Sequence, residues 1–329
     1  QPVDVRVAEQ FLRSADPVRA CAETNSLFRL LREDDRIVFL CSHTEEGGMC
    51  ARALKAYYQA RKHEARVVEV PDLTYSESRF KMRGLRSLVA TLIEHIRQEK
   101  ACGREVLINA TGGFKAEIAY ATLVGLLFDV PVYYIHEAFS DIIEMPPTPI
   151  GWDYSLLAEH DEFFAWIQQD LRPVEEVDER LAKLPKEIRL LLAEEEGYAM
   201  LSPAGEAFYE AYLDRLTKAA AVPILLSARA WDAYRGARPE VRSLFDRVLG
   251  KLGLRDLWIG TAEKVGNSDC LVYPRGHRTE RLFFYEDDNG NVRVCELVRH
   301  GDGSYERLLK HGVWRANYTD FRPWRPGAE

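Results

Sequence analysis

Two groups of residues in this sequence have side chains suited to chemistry on phosphates. In "INATGGFKAEIAYATL", residues 108–123, an apolar run ends in a hydroxyl, a glycine pair and a lysine, then turns Ala-rich with helical periodicity. Gly112 and Gly113 let the backbone approach a ligand closely, a helix start near Ala116 favours an anion, and Lys115 adds a full positive charge. A phosphate-bearing ligand is predicted there. The pattern is neither G-x-G-x-x-G nor a P-loop, so neither a dinucleotide cofactor nor ATP hydrolysis is predicted. The second group is C-terminal. Arg275, His277, Arg278 and Arg281 cluster before and on one apolar run, Arg299 and His300 end the next, and Tyr305 follows. Arg281 stands in an otherwise apolar strand, where an unpaired charge is costly, and that favours a functional role for it.

The elements that must position these groups can be read from periodicity. Residues 36–150 alternate "RIVFLC", "MCARALKAYYQARK", "ARVVEV", "LRSLVATLIEHIRQEK", "EVLINA", "AEIAYATLVGLLF" and "VPVYYIH", which are strands and helices in turn. Continuous apolar strands between helices predict a parallel, Rossmann-like sheet covered on both faces, and "MPPTPIGW" closes it. Ligands bind such sheets at the C-terminal strand edges, where "SHTEEGG" (42–48) and "TGGFK" (111–115) both fall. Residues 175–216 read as a winged helix, yet they carry 5 Lys+Arg against 11 Asp+Glu, a balance unsuited to DNA. A connector or dimer element is the reading for that stretch. From Val222 the order becomes β-α-α-β-β-β, with the Asn-Gly of "DDNGN" marking a hairpin, a small antiparallel α+β domain. The fold class is thus multidomain α/β plus α+β, with domains at 1–150, 151–221 and 222–329.

Composition narrows the function classes. The 329 residues are 47% hydrophobic and 29% charged, with no apolar run near the length of a membrane span, so a cytoplasmic protein without a membrane partner is expected. The opening residues lack a signal peptide and an initiator Met, and the natural N-terminus is expected to lie further upstream. Six scattered cysteines show no metal-ligand spacing and read as reduced, mostly core thiols, with no metal. The net charge is -8, but from Val222 onward 18 Lys+Arg, 15 of them Arg, outnumber 15 Asp+Glu. Any nucleic-acid contact belongs to that end.

"CAETNSLFRLL" (21–31), "FLCSHTEEGG" (39–48) and "INATGGFKAEIAYATL" resemble the CRISPR-associated Rossmann fold, or CARF, sensor domains over about residues 15–150. The resemblance implies a cyclic oligoadenylate ligand, most often the tetra-adenylate, shared across a homodimer. The positions matching its site are Ser42, Thr44, Asn109, Thr111, Gly112, Gly113 and Lys115. It also implies a further strand with a hydroxyl-bearing loop ahead of "RIVFLC", which this sequence does not contain. Helical HEPN ribonucleases need Arg and His about six residues apart on a helix. Arg36 to His43 and Arg293 to His300 have that spacing, but along strands, and are set aside.

Over about residues 222–318 the chain resembles the RelE mRNA interferases, through its element order and "ERLFFYEDDNGNVRVCELVRHG". That resemblance implies metal-free mRNA cleavage in the ribosomal A site. In such cleavage the 2′-OH attacks its own 3′-phosphate, which requires a base, cations for the developing charge, and an acid at the leaving oxygen. Arg281 and Arg299 are assigned to the scissile phosphate, His300 and His277 to proton transfer, and Tyr305 to stacking a base. Where several RelE proteins have lysines, this chain has "CLVYP", and the expectation is either that Arg275 with His277 carries that basic role or that the activity is altered. Arg278 can equally solvate a loop, His311 reads as surface, and Trp314 and Trp324 as packing. The combined expectation is a sensor, winged helix and ribonuclease that needs no cofactor, has the ring as activator, and has mRNA and the ribosome as partners. Two rival readings are a ligand-responsive transcription regulator and a sensor that itself degrades the ring.

Overall fold

The computed structural model describes residues 5–74, 80–135, 141–148, 150–218, 222–274, 279–301 and 303–325. Contacts divide the chain into two compact units, residues 1–150 with 166–211, and residues 151–165 with 212–329. Among the described residues no helix is long and apolar enough to cross a membrane.

The first unit opens with three helices, α1 (Val5–Ser14), α2 (Pro17–Ala20) and α3 (Ala22–Leu30). Then come β1 (Arg36–Ser42), α4 (Glu45–Gln59), β2 (Glu64–Val70), α5 (Leu85–Ala101), β3 (Ile108–Asn109), α6 (Lys115–Leu127), β4 (Val132–Tyr134) and β5 (Ile143–Met145). β1 alternates by face. Ile37, Phe39 and Cys41 join Leu12, Leu27 and Leu54 on one side, while Leu40 packs with Val70, Leu85 and Leu88 on the other. This is the two-sided burial expected of strands between helices. Gly84 enters α5 where a Cβ would lie 2.7 Å from the Asp72 carbonyl oxygen, so only glycine fits that approach.

β1 and β2 pair in parallel from Arg36↔Glu64 to Ser42↔Val70, and β3 pairs in parallel with β4. β5, which periodicity did not reveal, adds antiparallel to β4. The predicted single parallel sheet is nevertheless two sheets, β1-β2 and β3-β4-β5, because no described strand joins β1 to β3. A groove of about 1080 Å³ runs there instead, lined on one side by residues 36–42 and on the other by residues 104–110. Leu27, Leu54, Leu88, Leu92 and Ile118 line it from helices on both faces.

Residues 151–221, read from the sequence as one connector, are divided between the units. α7 (Ser155–Glu159) belongs to the second unit, and the chain crosses between units within α8 (Asp161–Gln169). β6 (Arg172–Pro173), α9 (Val174–Leu181), β7 (Leu192–Glu195) and β8 (Tyr198–Leu201) follow, with the strands in order β6-β8-β7, and then α10 (Pro203–Lys218). Residues 166–211 join the first unit through ion pairs from α5. Arg86 Nε lies 2.8 Å from Glu206 Oε2, and Arg97 Nη1 lies 2.6 Å from Glu210 Oε2. Burial pushes the Glu206 carboxyl up, and Arg86 opposes that shift. A buried carboxylate of this kind is tolerated because it is paired.

The second unit holds β9 (Ile224–Leu226), α11 (Ala228–Gly236), α12 (Pro239–Leu252), β10 (Glu263–Lys264), β11 (Leu271–Tyr273), β12 (Glu280–Glu286) and β13 (Val292–Arg299). α13 (Ser304–His311) and β14 (Arg322–Pro323) complete it. The β-α-α-β-β-β order is as expected, with β10, α13 and β14 added. The six strands run β10-β11-β12-β13-β9-β14. The sheet is mixed rather than antiparallel, since β9 pairs in parallel with β13. The crossover through α11 and α12 permits that pairing, which a hairpin could not. Trp231, Tyr234, Phe245, Leu282 and Phe284 form the core on the α11–α12 face, and Cys270, Phe283, Cys295 and Val298 form a smaller one on the other. Of the six cysteines, Cys41, Cys270 and Cys295 are buried while Cys50 and Cys102 are exposed, so the core reading holds for half.

Candidate functional site

The loops predicted to bind a ligand lie at the C-terminal ends of β1 and β3, on the rim of the groove. Ser42 ends β1, and its Oγ is 2.9 Å from Thr44 Oγ1, which caps α4 by accepting the Gly47 N–H at 3.1 Å. A Cβ on Gly47 would fall 2.2 Å from Ser42 Oγ, so glycine is what lets the hydroxyl sit there. Across the groove, Asn109 Oδ1 accepts from Thr111 Oγ1 at 2.7 Å, and its Nδ2 donates to Ser26 Oγ at 2.7 Å. Thr111 Oγ1 in turn accepts the Ile135 N–H at 3.2 Å. Asn109 therefore braces the loop against α3, and the buried Ser26 is a positioning residue that no spacing signal marked.

Gly113 has φ +103°, a left-handed conformation that favours glycine. Lys115 is the first residue of α6 and is exposed, as an anion-binding lysine at a helix start would be. Two carboxylates crowd the same glycines. Cβ atoms on Gly112 and Gly113 would lie 2.4 Å from Glu23 Oε1 and 2.2 Å from Glu117 Oε2. Glu117 also accepts the Phe114 N–H at 2.8 Å, and burial pushes its carboxyl up. The sequence does contain a signal for Glu117, a glutamate three residues after the helix cap. Glu23 carries none.

The C-terminal candidates are ordered by strand register. Arg281 pairs with Val298 and Arg299 pairs with Glu280, so the two arginines occupy successive pairs and opposite faces. Arg299 is exposed on the α11–α12 face. Arg281 lies on the α13 face at 6% exposure, and its Nη1 donates to the Glu280 carbonyl oxygen at 2.9 Å. Its guanidinium carbon is 5.6 Å from the Tyr305 ring centroid. His300 extends past β13, where its N–H donates to the Thr279 carbonyl oxygen at 2.6 Å. The His300 and Tyr305 ring centroids are 5.5 Å apart, and His300 Nε2 is 3.6 Å from Glu306 Oε1.

Arg281, His300 and Tyr305 thus come together, and Arg299 does not join them. Arg275, His277 and Arg278 lie outside the described residues. Tyr305, expected to stack a base, here lies over Arg281 and Phe283. Trp324 is buried as packing predicts, but Trp314 is 46% exposed. A guanidinium and an imidazole that flank one aromatic ring can between them neutralise charge on a phosphate and move a proton, which is the chemistry of strand scission by an internal hydroxyl.

Residues 18–148, less than half of the chain, match the model of a family described as CRISPR-associated protein (Cas_APE2256). The match falls on the part of the chain that holds both loops predicted to bind a ligand. The crystal structure of protein VC1899 from Vibrio cholerae aligns over 89% of this chain and 81% of that one, at 13% identity and a TM-score of 0.28, too low for a shared fold to be read from it.

Proposed function

We propose that this protein is a cyclic oligoadenylate sensor of CRISPR defence joined to a metal-independent, RelE-type endoribonuclease. The observation that carries the reading is the convergence of Arg281, His300 and Tyr305 on one face of a β-α-α-β-β-β unit. In that reading Arg281 neutralises the scissile phosphate, His300 takes the proton from the attacking 2′-OH, the P–O5′ bond breaks as the leaving 5′-oxygen takes a proton from water, and a 2′,3′-cyclic phosphate remains. Ser42, Thr44, Asn109, Thr111, Gly112, Gly113 and Lys115 form half of a ring-binding site, with the other half supplied by a second copy of the chain. The CRISPR-associated match over residues 18–148 supports the sensor half. The groove between β1 and β3 has room for the further strand that the CARF resemblance implies.

The test is incubation of the protein with translating ribosomes, with and without cyclic tetra-adenylate, and mapping of mRNA ends. Cleavage within codons in the A site, only with the ring present, is expected. Cleavage that ignores the ring, or its absence under all conditions, overturns the proposal.

A further inference from the structure

The catalytic face proposed above is covered in part. Arg281 is 6% exposed, and its guanidinium carbon lies 5.6 Å from the ring centroid of Tyr305 on α13. Tyr305, in the first turn of α13, lies over Arg281, and its neighbour Glu306 is paired with His300. One short helix therefore touches both residues assigned to the reaction, but it covers only Arg281, since 55% of the His300 side chain is exposed.

That helix is weakly anchored. None of its eight residues is fully buried, and its apolar contact with the sheet comes from the partly buried Tyr305, Leu308 and Leu309. It is bounded by glycines in left-handed conformations, Gly301 (φ +97°) and Gly303 (φ +78°) before it and Gly312 (φ +78°) after it. An element with few buried contacts opens locally at low free energy, and glycines at its ends can absorb the backbone rotation.

We propose that α13 is a lid over Arg281, which swings out between Gly303 and Gly312 to admit an RNA phosphate to that guanidinium beside the already exposed His300. The rest state then protects the chain from acting on stray RNA. Opening frees the Tyr305 ring, which has lost Arg281 as its partner, to stack on a base. The proposal rests on the ribonuclease reading for its purpose, but not for its geometry.

The test has arms that separate the two. In the full chain, an arginine-selective dicarbonyl reagent followed by peptide mass spectrometry should modify Arg281 roughly tenfold more slowly than the exposed Arg299. Leu308→Ala with Leu309→Ala, which loosens α13, should bring the two rates within about threefold while Arg86, ion-paired to the buried Glu206, keeps its rate. Hydrogen exchange of the unmodified protein needs no variant. Amides of residues 304–311 should exchange at least about tenfold faster than those of 281–285. Equal reagent rates at Arg281 and Arg299 in the parent overturn the lid, as does exchange of α13 only together with the sheet. The double variant should also cleave RNA faster than the parent. If neither protein cleaves any RNA, the ribonuclease reading fails while the reagent and exchange data still decide the lid.

Discussion

The guanidinium carbon of Arg281 lies 5.6 Å from the centre of the Tyr305 ring, so a strand cation and a helix aromatic hold each other on the face that also carries His300. A cation over a ring contributes about 0.5–2 kcal/mol, more as water is excluded. The contact therefore has a structural role that must be separated from a chemical one. Arg281→Lys keeps the charge but not the fork, and should retain the fold while restoring only part of the cleavage. Arg281→Ala should lower ring-stimulated mRNA cleavage by about a hundredfold to a thousandfold, the typical effect of losing one donor to developing charge. Dimerisation and ring binding should be unchanged by calorimetry. Cleavage should persist in EDTA, and normal rates in Arg281→Ala would remove the residue from the mechanism.

Lys115 stands exposed at the start of α6 beside the glycine pair. Lys115→Ala should weaken cyclic tetra-adenylate binding by about 1.5–3 kcal/mol, the scale of a charge-assisted contact. Titration of the parent should end at one ring per dimer, because a two-fold ligand on a two-fold axis is shared. An endpoint of one ring per chain would exclude a shared site.

Glu117 places a carboxylate on the loop expected to meet a phosphate, and burial already pushes that carboxyl up. An arriving phosphate pushes it further, so binding should take up a proton and strengthen as pH falls through the carboxylate range. Glu117→Gln removes the charge and keeps an acceptor for the Phe114 N–H. It should bind the ring about threefold to tenfold more tightly at pH 7, as expected for up to one unit of differential ionisation, with a flatter pH profile. Equal affinity and an equal profile in the two proteins would show that Glu117 does not face the phosphate.

Asp287 turns the hairpin between β12 and β13. Its carboxylate accepts the Arg293 Nε–H at 2.7 Å and the Asn291 and Asn289 N–H groups at 2.9 and 3.0 Å. The Arg293 guanidinium, aided by those N–H groups, holds its carboxyl at about 2. A folded value below the unfolded one of about 3.9 means that the stabilisation is full above pH 4 and is lost as pH falls toward 2. Asp287→Asn should therefore lower Tm at pH 7 and flatten the acid limb of the Tm profile between pH 4 and 2. A parallel shift at every pH would assign the effect to turn geometry instead.

The elements were more legible than their joining. β1, α4, α6, β12 and β13 each fall where apolar periodicity puts them, because burial on one or two faces writes itself directly into residue order. Neither the split between β1 and β3 nor the parallel β9–β13 pair could be read, since strand neighbours are chosen by tertiary packing and not by local pattern. In the loops, glycines and hydroxyls announced Ser42 and Gly113. Ser26 and Glu23 reach the loop of residues 109–113 from α3, more than 80 residues away in sequence, and no spacing marks them. Arg281 and Arg299 stand at the ends of two hairpin strands, as expected. Their opposite faces depend on register, which the β-bulge between Phe283 and Phe284 helps to set.

The parted sheet of the first unit has a bearing on colloidal behaviour. The side of β1 turned away from β2 offers backbone donors and acceptors with no described strand beside them, the arrangement by which one chain recruits another into a growing ladder. Here that side opens into a groove walled by helices, which has room for one strand between β1 and β3 but not for a flat sheet laid along the edge. Helices α3 and α5 wall that groove, so aggregation is expected to follow their release. Mild heating that releases them before the strands separate would expose a β-template in an otherwise folded molecule.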